Sequence, residues 1–182
     1  MRRLAAIAIV SAMLSVSSTD AADAVAAQGT VQAAFAPWDN IEQLITDAIV
    51  AADKQILVQA YLLTSKKIAA ALIAARHRHV DVRVLIDAEQ LTKVASTVAP
   101  ELASAGIPVW IETKYQNAHN KIIVIDADTP DATVITGSYN FTWTAQHRNA
   151  ENVLIVRKNP VLASHYVLNW ERHRQEAVPY KK

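Results

Sequence analysis

Four short segments of this chain contain apolar residues at consecutive positions, not only at alternate ones: QILVQAYLL (55–63), VDVRVLID (80–87), KIIVID (121–126) and ATVITGS (132–138). Successive side chains of a strand point to opposite faces, so such segments must be covered on both sides. A sheet with one wet face is a poor home for them. The stretches between them have the helical period. Residues 38–53 carry Ile41, Leu44, Ile45 and Ala48 on one face. Ser65 can cap a helix running to about His79, with Ile68 and Leu72 inward. A further helix is predicted over 91–105. Another covers 159–175, with Pro160 in its first turn and Leu162, Tyr166 and Trp170 four residues apart. GTVQAAFAP (29–37), IPVWIE (107–112) and ENVLIVRK (151–158) read as additional strands. This alternation predicts an α/β fold, an α-β-α sandwich on a mixed central sheet, in a single domain over 25–182.

The first 24 residues have another character. MRRLAAIAIVSAMLSVSSTDAADA opens with two arginines, continues with an apolar run from Leu4 to Val16, and ends in the small-residue pattern Ala22-Asp23-Ala24. It reads as a secretory signal peptide cleaved near Ala24, which predicts a periplasmic or secreted protein. The alternative is a membrane anchor, but 13 apolar residues are short of the roughly 20 that a span requires. The chain has no cysteine. Stability must therefore come from the core, and thiolate metal sites and a cysteine nucleophile are excluded. The formal net charge of +1 over 182 residues says little about partners, since nucleic-acid binding needs only local positive charge.

The candidate chemistry lies in AHNKIIVID (118–126) and ITGSYNFT (135–142). Residues i and i+2 of a strand share a face, so His119 and Lys121 point the same way. Ser138 and Asn140 repeat that relation after the next run. If 121–126 and 132–138 form a hairpin, Ser138 and Asn140 return to lie beside His119 and Lys121. One imidazole, one ammonium, one hydroxyl and one amide suit a phosphodiester. Lys121, Ser138 and Asn140 would hold non-bridging oxygens. His119 would attack phosphorus or donate a proton. Glu151 is the candidate partner for its other ring nitrogen. No metal cage is visible, so no metal or other cofactor is expected. Alone, each piece is common: His-x-Lys pairs are mostly solvated, and an aspartate such as Asp126 often just ends a strand. Their joint order raises the odds.

His119-x-Lys121-x4-Asp126 followed by Gly137-Ser138-x-Asn140 resembles the His-Lys-Asp motif of the phospholipase D superfamily, and GSYNFT with Glu151 resembles its small single-motif bacterial endonucleases. The likeness covers about 29–180. It departs in one place. Ten residues, 127–136, separate Asp126 from Gly137, where the family usually has about six. A longer hairpin turn away from an intact site is expected. The resemblance implies catalytic roles for His119 as nucleophile, forming a phosphohistidine, and for Lys121, Asp126 and Glu151, with Glu151 orienting His119. Lys121, Ser138 and Asn140 would bind the substrate phosphate. Asp126 is expected to serve structure more than chemistry.

The reaction needs two imidazoles, and His77, His79, His147, His165 and His173 have no lysine two residues on. The chain carries half a site, and the resemblance implies that a homodimer completes it, with the two His119 residues meeting at a two-fold axis. A bell-shaped pH profile follows. The expected activity is metal-independent, non-specific cleavage of nucleic acid, DNA and as a second polymer RNA. A phospholipid phosphodiesterase is the alternative, and a silent nucleic-acid-binding module a third. No amphipathic interfacial stretch is evident, so no stable membrane association is expected. The basic run Lys66, Lys67, Arg76, His77, Arg78, His79 reads as a solvated helix face before a phosphate rim. Trp143 and His147 are placed equally well in a substrate groove or in ordinary packing. Trp110, Tyr166 and Trp170 are expected in the core.

Overall fold

The computed structural model describes residues 24–94 and 96–181. The signal-peptide reading concerns residues outside this range, apart from Ala24. The elements in chain order are β1 (Thr30–Ala36), α1 (Ile41–Val50), β2 (Gln55–Ala60), α2 (Lys66–His77), β3 (Asp81–Asp87), α3 (Glu89–Lys93), α4 (Ala99–Ser104), β4 (Val109–Glu112), β5 (Lys121–Ile125), β6 (Thr133–Gly137), α5 (Trp143–His147), β7 (Glu151–Arg157), α6 (Pro160–Glu176) and β8 (Val178–Pro179). All eight strands form one sheet in the order β1-β7-β6-β5-β2-β3-β4-β8. The pairs β2–β3 and β3–β4 are parallel and the others antiparallel, so the sheet is mixed as expected.

Both faces are covered. On one, Ile41, Ile45 and Ile49 of α1 and Ile68 and Leu72 of α2 pack with Ile56, Val58, Val84, Ile123 and Ile135. On the other, Ala163 and Trp170 of α6 pack with Leu57, Leu85, Val124 and Val134. Consecutive residues of β2 and β5 thus enter different cores, which is why both runs are apolar throughout. Trp170 is 1% exposed and its indole N–H donates to the Val58 carbonyl at 2.9 Å. Trp110 packs edge-on against it, while Trp110 and Tyr166 are only partly buried.

Helix starts follow side-chain caps that are legible in the sequence. Asn40, Ser65 and Asn159 accept from the backbone N–H of Gln43, Ile68 and Leu162. Two boundaries differ from expectation. The cap at Asn40 starts α1 later than residue 38. The helix expected over 91–105 is two short helices: Pro100 lacks an N–H and sits in the first turn of α4, while Asp87 starts α3 early by accepting the Glu89 N–H at 2.8 Å. The short α5 and β8 were not anticipated. Just after α2, Arg78 donates to the carbonyls of Ile49, Val50 and Ala52, and within α2 Lys66 and Lys67 pair with Glu101 and Glu42. Half of that basic run therefore ties helices together.

The strand directions converge on one edge of the sheet. β1, β2, β3, β4 and β6 end there, and β5 and β7 begin there. The long connections 61–65, 113–120 and 138–150 cluster at that edge, where open α/β sheets bind ligands.

Candidate active site

The hairpin expected from the sequence forms, with Ile122 opposite Thr136 and Ile125 opposite Thr133. The extra residues of the spacer fold at its far tip. There the Thr129 N–H and hydroxyl both donate to the Asp126 carbonyl, and the Ala132 N–H donates to the Thr129 carbonyl. The longer turn leaves the site edge untouched.

At the site edge, Lys121 begins β5 and Ser138 follows the end of β6. His119 is exposed, on the irregular segment between β4 and β5. The Lys121 side chain is sunk beside it, and its Nζ lies 2.7 Å from His119 Nδ1 and 2.7 Å from the His119 carbonyl. Burial pulls the Lys121 ammonium down to about 8, against the nearby Glu151 carboxylate, which favours the charge. An ammonium has no lone pair. With Lys121 charged, Nδ1 must therefore accept, and a neutral His119 then carries its proton on Nε2.

Ser138 is held from β7. Its hydroxyl donates to Glu151 Oε2 at 2.5 Å and accepts from the Asn152 backbone N–H at 3.1 Å. The Ser138 and Tyr139 N–H groups both reach the Asn152 carbonyl. This proximity needs a glycine before Ser138: a Cβ on Gly137, whose φ is +156°, would lie 2.3 Å from the Asn152 oxygen. Asn140 follows two residues on. Its Oδ1 is the one buried side-chain oxygen or nitrogen without a hydrogen bond among the described residues, an unspent polar atom at the site edge.

Two sequence expectations need correction. Within one chain Glu151 does not reach His119: its carboxylate hydrogen-bonds to Ser138 and to Asn149 Nδ2. The reason is register, since β6 lies between β7 and β5 and Ser138 fills the gap. Asp126 sits at the opposite end of β5 from Lys121. Its carboxylate accepts the backbone N–H groups of Asp53, Lys54 and Gln55 at 2.7–2.8 Å, closing the α1–β2 turn. It adopts φ +50° and cannot touch a group bound at His119. Asp126 is a structural carboxylate.

Several contributors were missed. Tyr61, after β2, stacks its ring on His119. Asp87, buried at the end of β3, accepts the Ala118 N–H at 2.6 Å. Asn149 and Asn152 hold Glu151 and Ser138. Apart from Asn149, two residues from Glu151, these act across sequence separations that no local motif encodes. Trp143 is 57% exposed, with the His147 ring 4.7 Å away and the Arg148 guanidinium 5.8 Å from its centroid. Trp143 is therefore not packed in the interior, and His147 lies at the surface.

An imidazole, an ammonium, a hydroxyl and an amide gathered where a mixed sheet ends are the equipment of a phosphodiesterase. The comparisons give the class its family. The family model described as "Cardiolipin synthase, PLD-like domain" matches residues 45–173, and the chain belongs to the phospholipase D superfamily. Over 143 residues it is 40% identical to a phospholipase D of Rickettsia prowazekii, covering 79% of this chain and 67% of that protein. It is 30% identical to a mitochondrial cardiolipin hydrolase of Xenopus laevis, covering 72% of this chain and 60% of that one. The crystal structure of the phospholipase D family member Nuc from Salmonella typhimurium superposes with a TM-score of 0.77 at 32% identity, covering 84% of this chain and 99% of Nuc. The protein is a small phospholipase D-like phosphodiesterase.

Proposed function

We propose that this enzyme is a metal-independent, non-specific endonuclease that acts outside the cytoplasm, cutting DNA, and RNA as a second polymer, at a site shared by two copies of the chain. The observation that carries the proposal is the half-site itself: one His119–Lys121 pair, with Ser138 and Asn140, on an open sheet edge. In the first step His119 Nε2 attacks phosphorus. A P–N bond forms, the P–O bond to the leaving alcohol breaks, and that oxygen takes a proton from the second His119. In the next step the second imidazole removes a proton from water, which attacks phosphorus and releases His119.

Lys121 links binding to this chemistry. Donating to Nδ1, it holds His119 in the tautomer whose Nε2 already bears a proton and cannot attack. A phosphate anion offers Lys121 a stronger partner. Once Lys121 turns to that anion, Nδ1 is free to take the proton and Nε2 becomes the nucleophile. The Asn140 amide N–H and the Ser138 hydroxyl, whose proton turns from Glu151 to the anion, bind the remaining phosphate oxygens. Glu151 aligns the Ser138 hydroxyl.

The exposed Trp143, flanked by His147 and Arg148, supports a single-stranded polynucleotide as substrate, because a stacking face beside positive charge suits bases and backbone together. The names of the relatives favour a second reading, hydrolysis of a phospholipid diester. The two readings separate on supercoiled plasmid in excess EDTA beside His119→Ala, with cardiolipin vesicles run in parallel. Plasmid cleavage by the wild type alone supports the nuclease; lipid turnover without plasmid cleavage refutes it. The shared site is tested by mixing wild-type and His119→Ala subunits after dissociation and reassociation. If both imidazoles are needed, activity falls as the square of the wild-type fraction. A linear fall would mean that one chain suffices, with an acid in the same chain, His147 being the first to examine.

A further inference from the structure

We propose that Tyr61 is a positioning residue, the seat that fixes the His119 imidazole while Lys121 exchanges between His119 and the substrate phosphate; this rests on His119 being the nucleophile. The need for a seat follows from where His119 sits. It stands exposed on an irregular segment, and among the described residues its ring has one polar contact, Lys121 Nζ. That group is the one phosphate draws away. Among the described residues the Tyr61 ring also lies against the His119 ring, with centroids 4.3 Å apart and planes tilted by 45°. Without it the imidazole would turn about its side-chain bonds at the moment when its lone pair has to face phosphorus. An error of about 1 Å in such alignment costs on the order of a hundredfold in rate.

Tyr61 is itself fixed at both ends. Its backbone N–H donates to the Asn120 carbonyl at 2.7 Å, and its hydroxyl donates to Glu89 Oε2 at 3.1 Å. The Glu89 N–H is held at 2.8 Å by Asp87 Oδ1, and Asp87 Oδ2 accepts the N–H of Ala118. The contacts close a ring: His119 to Tyr61, to Glu89, to the buried Asp87, to Ala118, and along the chain to His119. The loop carrying the nucleophile and the aromatic beneath it therefore move as one body. The ring also lies under the ammonium, with Lys121 Nζ 5.0 Å from its centroid. A tyrosine face attracts a cation, so Lys121 can leave Nδ1 for the substrate without losing this neighbour.

The test uses the full-length enzyme and bis(4-nitrophenyl) phosphate, a diester with neither base nor lipid to recognise. Tyr61→Leu keeps apolar bulk but no ring face. Its kcat is expected to fall at least tenfold, with KM within twofold of wild type and an unchanged circular dichroism spectrum. Tyr61→Phe keeps the ring and loses the tether to Glu89; a two- to fivefold fall in kcat is expected. A Leu variant with kcat within twofold of wild type, or one impaired only in KM, overturns the seat. So does a Phe variant as inactive as His119→Ala, since the hydroxyl would then be acting directly. If the Leu variant does not fold, the Phe variant decides on that criterion. Histidine NMR gives a readout independent of turnover. The His119 ring protons, identified by their loss in His119→Gln, should shift in Tyr61→Leu, where the ring current is gone, and stay in Tyr61→Phe; protons unmoved in the Leu variant also overturn the proposal. Wild type that hydrolyses this diester but spares plasmid DNA refutes the nuclease reading and leaves the seat to these measurements.

Discussion

Lys121→Met should stabilise the protein at neutral pH while abolishing its activity. A lysine side chain ordinarily holds its proton to about 10.5, and in the folded protein burial lowers Lys121 to about 8. Below pH 8 the fold therefore carries an ammonium that its surroundings disfavour. The cost is the shift times 1.36 kcal/mol per unit, about 3 kcal/mol, to order of magnitude. Methionine removes that cost and fills similar apolar volume. It also deletes the two hydrogen bonds from Nζ to His119, a loss of about 1 kcal/mol each. The expected net gain at pH 7 is about 1 kcal/mol, or roughly 2–4 °C in Tm.

The sign can be checked across pH. A lysine depressed in the folded state destabilises fully below its folded value, progressively less between about 8 and 10.5, and not at all above. Wild-type stability should therefore rise relative to Lys121→Met over that window. Urea unfolding of both proteins at pH 7 and pH 10 measures this. At pH 10 the advantage of the variant should vanish or reverse. A variant less stable than wild type at pH 7, or an offset equal at the two pH values, would refute the reasoning. In the same pH range kcat/KM of the wild type should decline above about pH 8, as free Lys121 loses the charge that binds phosphate.

Asp126→Asn should lose about 2–3 kcal/mol of stability in urea unfolding, because an amide nitrogen replaces one acceptor among three backbone donors, yet keep kcat within twofold, since asparagine tolerates positive φ and the site is at the other end of β5. Gly137→Ala should cost about 2 kcal/mol or more and at least tenfold in kcat, as the new Cβ forces the Asn152 carbonyl and the Ser138 turn apart; an active, stable Ala variant would show that this approach is dispensable. Trp143→Ala should raise KM for a single-stranded oligonucleotide about tenfold, the value of one lost base stack, and leave KM for bis(4-nitrophenyl) phosphate unchanged. Equal effects on both substrates would remove Trp143 from the binding surface.

What could be read before the structure was whatever the chain encodes locally. Both-face apolar runs gave the buried strands, Ser65 marked a helix start by its capping chemistry, and Pro160 marked another, whereas the Asn40 cap that sets the start of α1 was passed over. The candidate site residues His119, Lys121, Ser138 and Asn140 could be proposed because one hairpin, which forms as expected, places them at the same end of the sheet. Residues whose role depends on a second strand crossing could not. Asp87 reaches Ala118 across 31 positions, and Tyr61 reaches His119 from two strands away in sequence. Glu112 is buried with Gln59 and His173, from β4, β2 and α6, and burial raises its carboxyl above the usual range despite those partners. In the sequence it is the last letter of an unremarkable strand. Asp126 is the opposite case: a motif position to which the resemblance attaches a catalytic role, expected to serve structure more than chemistry and found holding three backbone N–H groups.

The distribution of polar burial along the sheet has a direction. At the site edge stand an ammonium pulled down by burial, an amide oxygen without a partner and a glycine pressed against a carbonyl. The first two are unfavourable for folding, and the ammonium is poised for a substrate; the glycine is the one residue that fits against that carbonyl. At the opposite edge, Asp126 satisfies three backbone donors and the spacer turn closes on itself. Between them Trp170 and the isoleucines of α1 fill the two cores. Substitutions that relieve the site edge should therefore stabilise and inactivate together, whereas those at the opposite edge should destabilise without touching the chemistry. Lys121→Met and Asp126→Asn, measured side by side for both stability and kcat, test that separation directly, and a common direction of change in both quantities would contradict it.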